Sequence, residues 1–251
     1  MLSAVVLTRN EGGNLKKCLE SLRFCDECIV IDDNSSDHTV KIAESFGAKV
    51  FKRELKGDFA AQRNYGQSKA QGDWSLFVDA DEVVSPKLRN EIKGAVKNSA
   101  QDGYYLRRRD FFWGRELRFG EVKAVRDSGL LRLVKAGAGL WMGNVHEVFH
   151  TVKSTGRLDG FLDHHPHQTI REFIEDINSY STLRAREIYG KGADTNVFDI
   201  AFTPAFKFIY NYFVNFGFLD GPPGFAYAFL MSFHSFLVRA KLYQYKKIKT
   251  Q

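Results

Sequence analysis

The chain has 251 residues, enough for one large domain, or a domain with an appendage, around a sizeable core. Apolar residues make up 44% and charged residues 26%, ordinary for a soluble globular protein, and three clustered cysteines (Cys18, Cys25, Cys28) exclude a disulfide framework. The formal net charge of +6 suits an anionic partner, whether a nucleotide diphosphate, nucleic acid or an anionic membrane surface, without choosing among them.

The opening "MLSAVVLTRNE" has neither a basic n-region nor an apolar h-region, so a reducing cytoplasm is the expected compartment. Residues 2–8, "LSAVVLT", form a short apolar run that predicts a buried strand. Leu15, Cys18, Leu19 and Leu22 then follow the spacing of an amphipathic helix. "CDEC" has the C-x-x-C spacing but no second Cys or His pair, and it precedes a strand, so a structural role is expected. "CIVIDD" is the second strand. Ser35 or Ser36 is placed to cap a helix carrying Val40, Ile42, Ala43 and Phe46, with Gly47 as its stop. "AKVF" predicts a third strand, "DFAAQRNYGQSKA" a helix ending before Gly72, and "WSLFVDA" a fourth strand. Ser85-Pro86 starts the next helix, with Leu88, Ile92 and Val96 on its inner face.

This alternation over residues 1–98 predicts a mostly parallel sheet with helices on both faces. Ligands bind such sheets beyond the carboxyl ends of the strands. Acids stand there: Asp32 and Asp33 after the second strand, then Asp79, Asp81 and Glu82 after the fourth. Like charges gathered at the end of a buried strand call for a cation, and the D-x-D of "VDADE" fits Mg²⁺ or Mn²⁺ shared with a diphosphate. Asp32 and Asn34 read as turn formers, Glu82 as an outer-shell or helix-start acid, and Arg63 by itself as a helix-surface partner of Asp58.

Residues 102–163 predict further strands with Gly-rich turns, and Arg107, Arg108, Arg109, Arg115 and Arg118 are candidates to grip a phosphorylated acceptor. Thr169 and Glu172 make a capping box for a helix with the stripe Ile170, Phe173, Ile174 and Ile177. From residue 201 the chain turns aromatic. Its longest apolar run, Phe225 to Val238, contains His234 and is shorter than the ~20 residues a membrane crossing needs. Arg239, Lys241, Lys246, Lys247 and Lys249 follow, and aromatics before a basic tail predict a segment lying on an anionic leaflet; the alternative is a buried helical hairpin.

Four stations, "VVLTRNE", "IVIDDNSSDHT", "AAQRNYGQSKAQGDW" and "LFVDADE", occur in the order found in family 2 glycosyltransferases, the inverting enzymes with the GT-A fold. "GNVHE" and "HHPHQTIREFIEDINSYSTLRARE" resemble the smaller bacterial lipopolysaccharide-core glucosyltransferases that act on inner-core heptose. The resemblance implies a GT-A domain over 1–165, with a Rossmann-like nucleotide-binding half over about 1–100 and an acceptor half over about 101–165. A helical, aromatic-rich C-terminal region, 166–251, would follow. By the same resemblance Thr8 and Asp33 hold the uracil and ribose, with Glu11 nearby; Arg63 faces the nucleotide and Asp79 the ribose side. Asp81 would bind the metal, and His164 would approach the diphosphate or supply a late metal ligand. An inverting transfer needs a base for the acceptor hydroxyl. Glu147 matches the family's G-x-V-H-E station for it, with Asp127 and Asp163 behind it and His146 orienting the loop.

The implied activity is transfer of glucose from UDP-glucose to a lipid-linked core saccharide at the cytoplasmic face of the inner membrane. No nucleic acid partner is expected. Polyprenyl phosphate or another envelope glycan is the alternative acceptor. A sugar-1-phosphate nucleotidyltransferase would share the sheet and the acids but needs a Gly-rich, Arg-containing loop that "LTRNEGGN" supplies poorly. A membrane-binding module without catalysis would leave the acids at successive strand ends unexplained.

Overall fold

The computed structural model describes residues 1–144, 147–151, 153–166 and 169–248. His146 and Lys249, named above, lie outside them, as does His167, the last histidine of the "HHPH" stretch. The chain forms two compact units, 1–109 with 125–165 and 110–124 with 166–251.

In the first unit β1 (Leu2–Thr8), β2 (Glu27–Asp32), β3 (Lys49–Lys52) and β4 (Trp74–Asp79) lie parallel in the order β3-β2-β1-β4. Successive side chains of a strand point to opposite faces, and both faces of β1 are covered. Ala4 and Val6 pack with Leu15, Cys18 and Leu19 of α1 (Leu15–Ser21) and with Leu88 and Ile92 of α4 (Pro86–Asn98). Val5 and Phe77 pack the other way, with Ala60 of α3 (Phe59–Lys69). Asp58 and Ser85 cap α3 and α4, accepting from the amides of Ala61 and Leu88. The three cysteines are free thiols; Cys18 donates to the Asp79 carbonyl, and burial pushes the Cys28 thiol up to about 12.

The cap of α2 (Thr39–Ser45) differs from expectation. Neither Ser35 nor Ser36 serves it, because both bond Asn10 in the preceding loop, and Asp37 accepts from the Thr39 amide instead. Beyond β4 the sheet is mixed rather than mostly parallel. β8 (Leu130–Lys135) pairs antiparallel with β4, and β6 (Gly103–Phe112), β11 (Thr155–His164) and β5 (Glu82–Val84) extend the sheet in that order, with the short β7 (Arg115–Leu117) folding back antiparallel on the end of β6. Antiparallel neighbours need no helical crossover, so the alternation that signals parallel strands ends at residue 98. Glu82 belongs to β5 and is fully buried, so it is not a helix-start acid. β9 (Gly139–Met142) and β10 (Val148–Thr151) form a separate antiparallel hairpin, with Trp141 against Phe77 and Phe149.

In the second unit Phe112, Leu117, Val122, Phe173, Ile177 and Leu230 share a core. The capping box of α6 (Ile170–Gly190) is formed as expected by Thr169 and Glu172. Its buried stripe is narrower, however: Phe173, Ile177, Ser181 and Ala185 face inward, and Ile170 and Ile174 are exposed. α7 (Val197–Ile209) continues through a π-turn at Tyr210–Val214 and a 3₁₀ turn at Gly217–Asp220 into α8 (Gly221–Ile248), which packs on both α6 and α7. Three of the bases towards the end of α8 are engaged within the second unit. Lys241 donates to Asn178, Ser181 and Thr182 of α6, Lys246 pairs with Asp194, and Arg239 bonds Ser235. Among the described residues no helix is long and apolar enough to cross a membrane.

Candidate active site

Thr8 ends β1 and Asp33 follows β2, so the parallel register brings them together: the Asp33 amide donates to the Thr8 carbonyl. Asp33 is buried, accepting from the Leu55 amide at 2.9 Å and pairing with Arg9 at 3.1 Å. The Thr8 hydroxyl is buried and has no hydrogen-bond partner among the described residues, which fits it to a polar ligand. Asp32 accepts from the Ser35 amide, the turn role expected of it, and Asn34 takes the left-handed conformation. Glu11 accepts from the Asn14 side chain, and its carbonyl accepts the amides that open α1.

The centre of the site is a chain of buried charge. Arg63 is only 3% exposed and does not pair with Asp58. Its Nε donates to Glu147 Oε1 and its Nη2 to Asp79 Oδ1, each at 2.7 Å. Arg132, a residue that sequence reasoning passed over, holds the other Asp79 oxygen at 2.8 Å. Burial opposes ionisation of Asp79, but the Arg132 and Arg63 guanidiniums outweigh it and hold its carboxyl far below the usual range. The cation that the acidic cluster called for is thus supplied at Asp79 by the protein's own arginines. The sequence did carry a signal for Arg132: an arginine between leucines inside a strand must find a carboxylate or pay heavily in desolvation.

Both guanidiniums lie over the Trp141 ring, Arg63 at 4.8 Å and Arg132 at 5.7 Å from its centroid. Trp141 is fixed in turn by Asn64. The Asn64 amide nitrogen donates to the Trp141 carbonyl, and its oxygen accepts the Trp141 amide, each at 2.9 Å. The "RN" pair on α3 therefore divides its work: Arg63 reaches the charges, and Asn64 pins the strand behind them. Arg63 Nη1 is buried with no hydrogen-bond partner among the described residues, a donor that fits an anionic ligand.

Asp81 and His164 meet at 3.1 Å, because β11 pairs with β5 in the register that sets His164 opposite Glu82. Burial raises the Asp81 carboxyl, but the His164 imidazole beside it prevails and leaves it below its ordinary value. One oxygen and one nitrogen donor fit a divalent cation that keeps water and substrate phosphates in its shell. Among the described residues no group of three His, Cys, Asp or Glu side chains stands ready as an all-protein cage. Burial and the Asp79 charge push the Glu82 carboxyl up, and its Oε2 accepts the Asp79 amide, which steadies the turn between the two acids.

Asp163 is gripped by Arg109 through both oxygens, at 2.7 and 2.9 Å. Asp127 is exposed on α5 (Lys123–Ser128). Arg107, Arg109 and Arg126 gather round the Phe161 ring, whereas Arg108 points towards Glu82. The structure therefore joins Arg63, Asp79 and Glu147 in one network, Asp81 with His164 in a second, and Thr8 with Asp33 in a third.

Comparison with known proteins bears on this arrangement. The profile of "Glycosyl transferase family 2" matches residues 3–143. The chain is 30% identical to "Lipopolysaccharide core biosynthesis glycosyltransferase LpsC" of Rhizobium meliloti (strain 1021), over 100% of the chain and 94% of that protein. It is 27% identical to an uncharacterized glycosyltransferase of Rickettsia prowazekii (strain Madrid E), over 96% of the chain and 86% of the relative. Among solved structures, S. aureus TarS 1–349 in complex with UDP-GlcNAc superposes with a TM-score of 0.51 at 15% identity, covering 98% of this chain and 91% of that one. The fold is GT-A-like, a mixed sheet flanked by helices with a helical, aromatic-rich C-terminal region.

Proposed function

The chain belongs to glycosyl transferase family 2, and on that footing we propose that it transfers glucose from UDP-glucose, with inversion, to a lipid-linked saccharide of the lipopolysaccharide core. The similarity to the Rhizobium lipopolysaccharide core biosynthesis glycosyltransferase supports the acceptor class. The observation that carries the reading is the Arg63 bridge, in which one buried guanidinium joins Asp79 at the end of β4 to Glu147. A transfer of this kind needs a cation for the donor diphosphate and a base for the acceptor hydroxyl, and both stand within one side chain's reach.

In the proposed mechanism Thr8 and Asp33 bind the uracil and ribose, with Glu11 beside them and Asp79 on the ribose side. Arg63 turns its unpartnered Nη1 to the diphosphate, and that attraction loosens its hold on Glu147. Glu147 then takes the proton of the acceptor hydroxyl as that oxygen attacks the anomeric carbon. The bond from the anomeric carbon to the donor phosphate oxygen breaks, UDP leaves with the electron pair, and the configuration inverts. A divalent cation, Mg²⁺ or Mn²⁺, held by Asp81 and His164 would offset the charge gathering on the departing diphosphate. With a lipid-linked acceptor, the protein works at the cytoplasmic face of the membrane.

A donor screen tests the proposal. The protein is incubated with UDP-sugars and Mn²⁺, and UDP release is followed with and without heptose-containing core acceptor. UDP-glucose should give slow release alone and faster release with acceptor. Pyrophosphate chemistry with a sugar 1-phosphate in place of UDP release would make the protein a nucleotidyltransferase and end this reading.

A further inference from the structure

The second unit carries a surface that the chemistry of the site leaves unused. Phe198, Phe202 and Phe206 follow one another at four-residue spacing along α7, so they stand on one face of the helix, and all are exposed, Phe198 by 73% and Phe206 by 68%. Phe213, Phe216 and Phe218 continue the exposure through the turns after α7, and Phe225 and Phe229 continue it along the start of α8. Between α7 and α8 runs a groove of about 490 Å³, walled by Pro204, Phe208, Phe225, Phe229, Phe233 and Phe236. Exposed apolar area on this scale marks a surface made to be covered.

The occupant follows from what the surface lacks. Between Val197 and Val238 the only acids and strong bases are Asp199, Lys207 and Asp220. Asp199 closes the capping box of α7, Lys207 is paired with Glu121, and Asp220 is buried, accepting the amides of Arg118 and Phe119. The face therefore presents rings and almost no charge. A protein interface of this size normally carries a polar rim and several hydrogen bonds across it. The charge complement stands beside the face instead. Arg115 and Arg118, both exposed, line a recess of about 320 Å³ with Glu116, Phe119, Leu219 and Asp220; Arg118 pairs with Glu116 at 3.2 Å yet keeps most of its side chain in solvent, and Leu219 is itself half exposed. Rings flanked by arginines match a bilayer, in which acyl chains lie beneath anionic phosphates. Since no described helix is long and apolar enough to cross a membrane, such a surface would lie in the interface rather than span it.

We propose that α7, the turns that follow it and the first half of α8 form a membrane-docking face that seats in an anionic phospholipid bilayer, with acyl chains against the aromatic groove and Arg115 and Arg118 on lipid phosphates. This deepens the reading of a lipid-linked acceptor and rests on it for its purpose. It moves the contact from the basic C-terminal residues, of which Lys241 is tied to α6 and Lys246 to Asp194, to the aromatic face.

The test is flotation of the full chain with vesicles of phosphatidylcholine and phosphatidylglycerol, with no donor or acceptor present, so that its outcome is independent of the transfer assay. Three double variants are compared with the wild type: Phe206→Ser with Phe213→Ser, Arg115→Ala with Arg118→Ala, and Lys246→Ala with Lys247→Ala. Circular dichroism and UDP binding check that the phenylalanine variant, altered only at exposed positions, is folded. The wild type should float. Each lost ring should weaken partition on the order of tenfold at any salt concentration. Each lost arginine should weaken it about fivefold at low salt, and less as salt rises. The lysine variant should float like the wild type. The proposal is overturned if the wild type stays with the soluble fraction, if the phenylalanine variant floats unchanged, or if only the lysine variant fails. It is also overturned if the wild type self-associates without lipid through these same phenylalanines, which would make the face a contact between copies.

Discussion

Replacing Asp79 by Asn leaves Arg63 and Arg132 both buried with, among the described residues, one direct carboxylate contact between them, that of Glu147 with Arg63. Breaking a buried pair from one side typically costs about 3–5 kcal/mol, and Asp79→Asn should lower the urea midpoint accordingly. The pH dependence has a definite sign. An acid whose folded pKa is depressed stabilises the fold above its unfolded value and loses that contribution as pH falls towards the folded one. The wild-type advantage over Asp79→Asn should therefore hold at neutral pH and shrink only below about pH 4, where the unfolded carboxyl begins to protonate. Asp81→Asn is a different case. Its partner is His164 rather than a buried arginine, so the fold should persist while chelator-sensitive turnover disappears. If chelator leaves wild-type transfer unchanged, Asp81 and His164 have another task. Glu147→Gln should cut turnover by about two to four powers of ten with much less effect on UDP affinity, the mark of a lost general base. A variant that keeps most of its rate would pass the role to Asp127 or to Asp163, the latter already held by Arg109.

At the level of elements, two close approaches fix where the site's residues stand. Asn64 holds β9 to α3 by two hydrogen bonds, and β9 carries Trp141, on which both arginines lie. Asn64→Leu removes both bonds and should cost about 1–3 kcal/mol. Because Trp141 and the chain leading to Glu147 lose their anchor, kcat should fall more than UDP affinity; equal losses in the two would indicate general unfolding instead. Gly160 lets β11 pass directly against α4, where an added Cβ would lie 2.4 Å from the Leu88 Cα. Gly160→Ala should therefore lower the melting temperature, with an overpacking cost of about 1–3 kcal/mol or more. A thermal melt unchanged from wild type would show that the two elements separate freely. Elements with clear periodicity, β1 to β4 and α1, α3, α4 and α6, were legible in the sequence because each carries its apolar pattern within one short stretch. β5 was not, since three residues are too few to show a period, and its partner β11 lies far along the chain.

For the whole molecule, the C-terminal residues act as structure. Val238 and Leu242 are buried, and Lys241 makes bonds to three residues of α6. A chain ending before Val238 should lose cooperative unfolding of the second unit, seen as a broadened or missing transition in near-ultraviolet circular dichroism. If it melts like the wild type, the end of α8 is dispensable after all. The sequence alone determined the parallel half of the sheet, the acids at its strand ends and the family, because those signals are local: apolar runs, caps and short motifs read within a few residues. It also marked the aromatic stretch after residue 201 as distinct. What covers Asp79 was decided only by tertiary structure, since Arg132 arrives from an antiparallel strand more than fifty positions away. The same holds for Lys241 and Lys246, which look like part of a free basic tail in sequence and prove to be bonded, Lys241 to α6 and Lys246 to Asp194. Charge neutralisation between distant strands and helices depends on which surfaces meet in three dimensions, and a linear pattern of residues does not contain that.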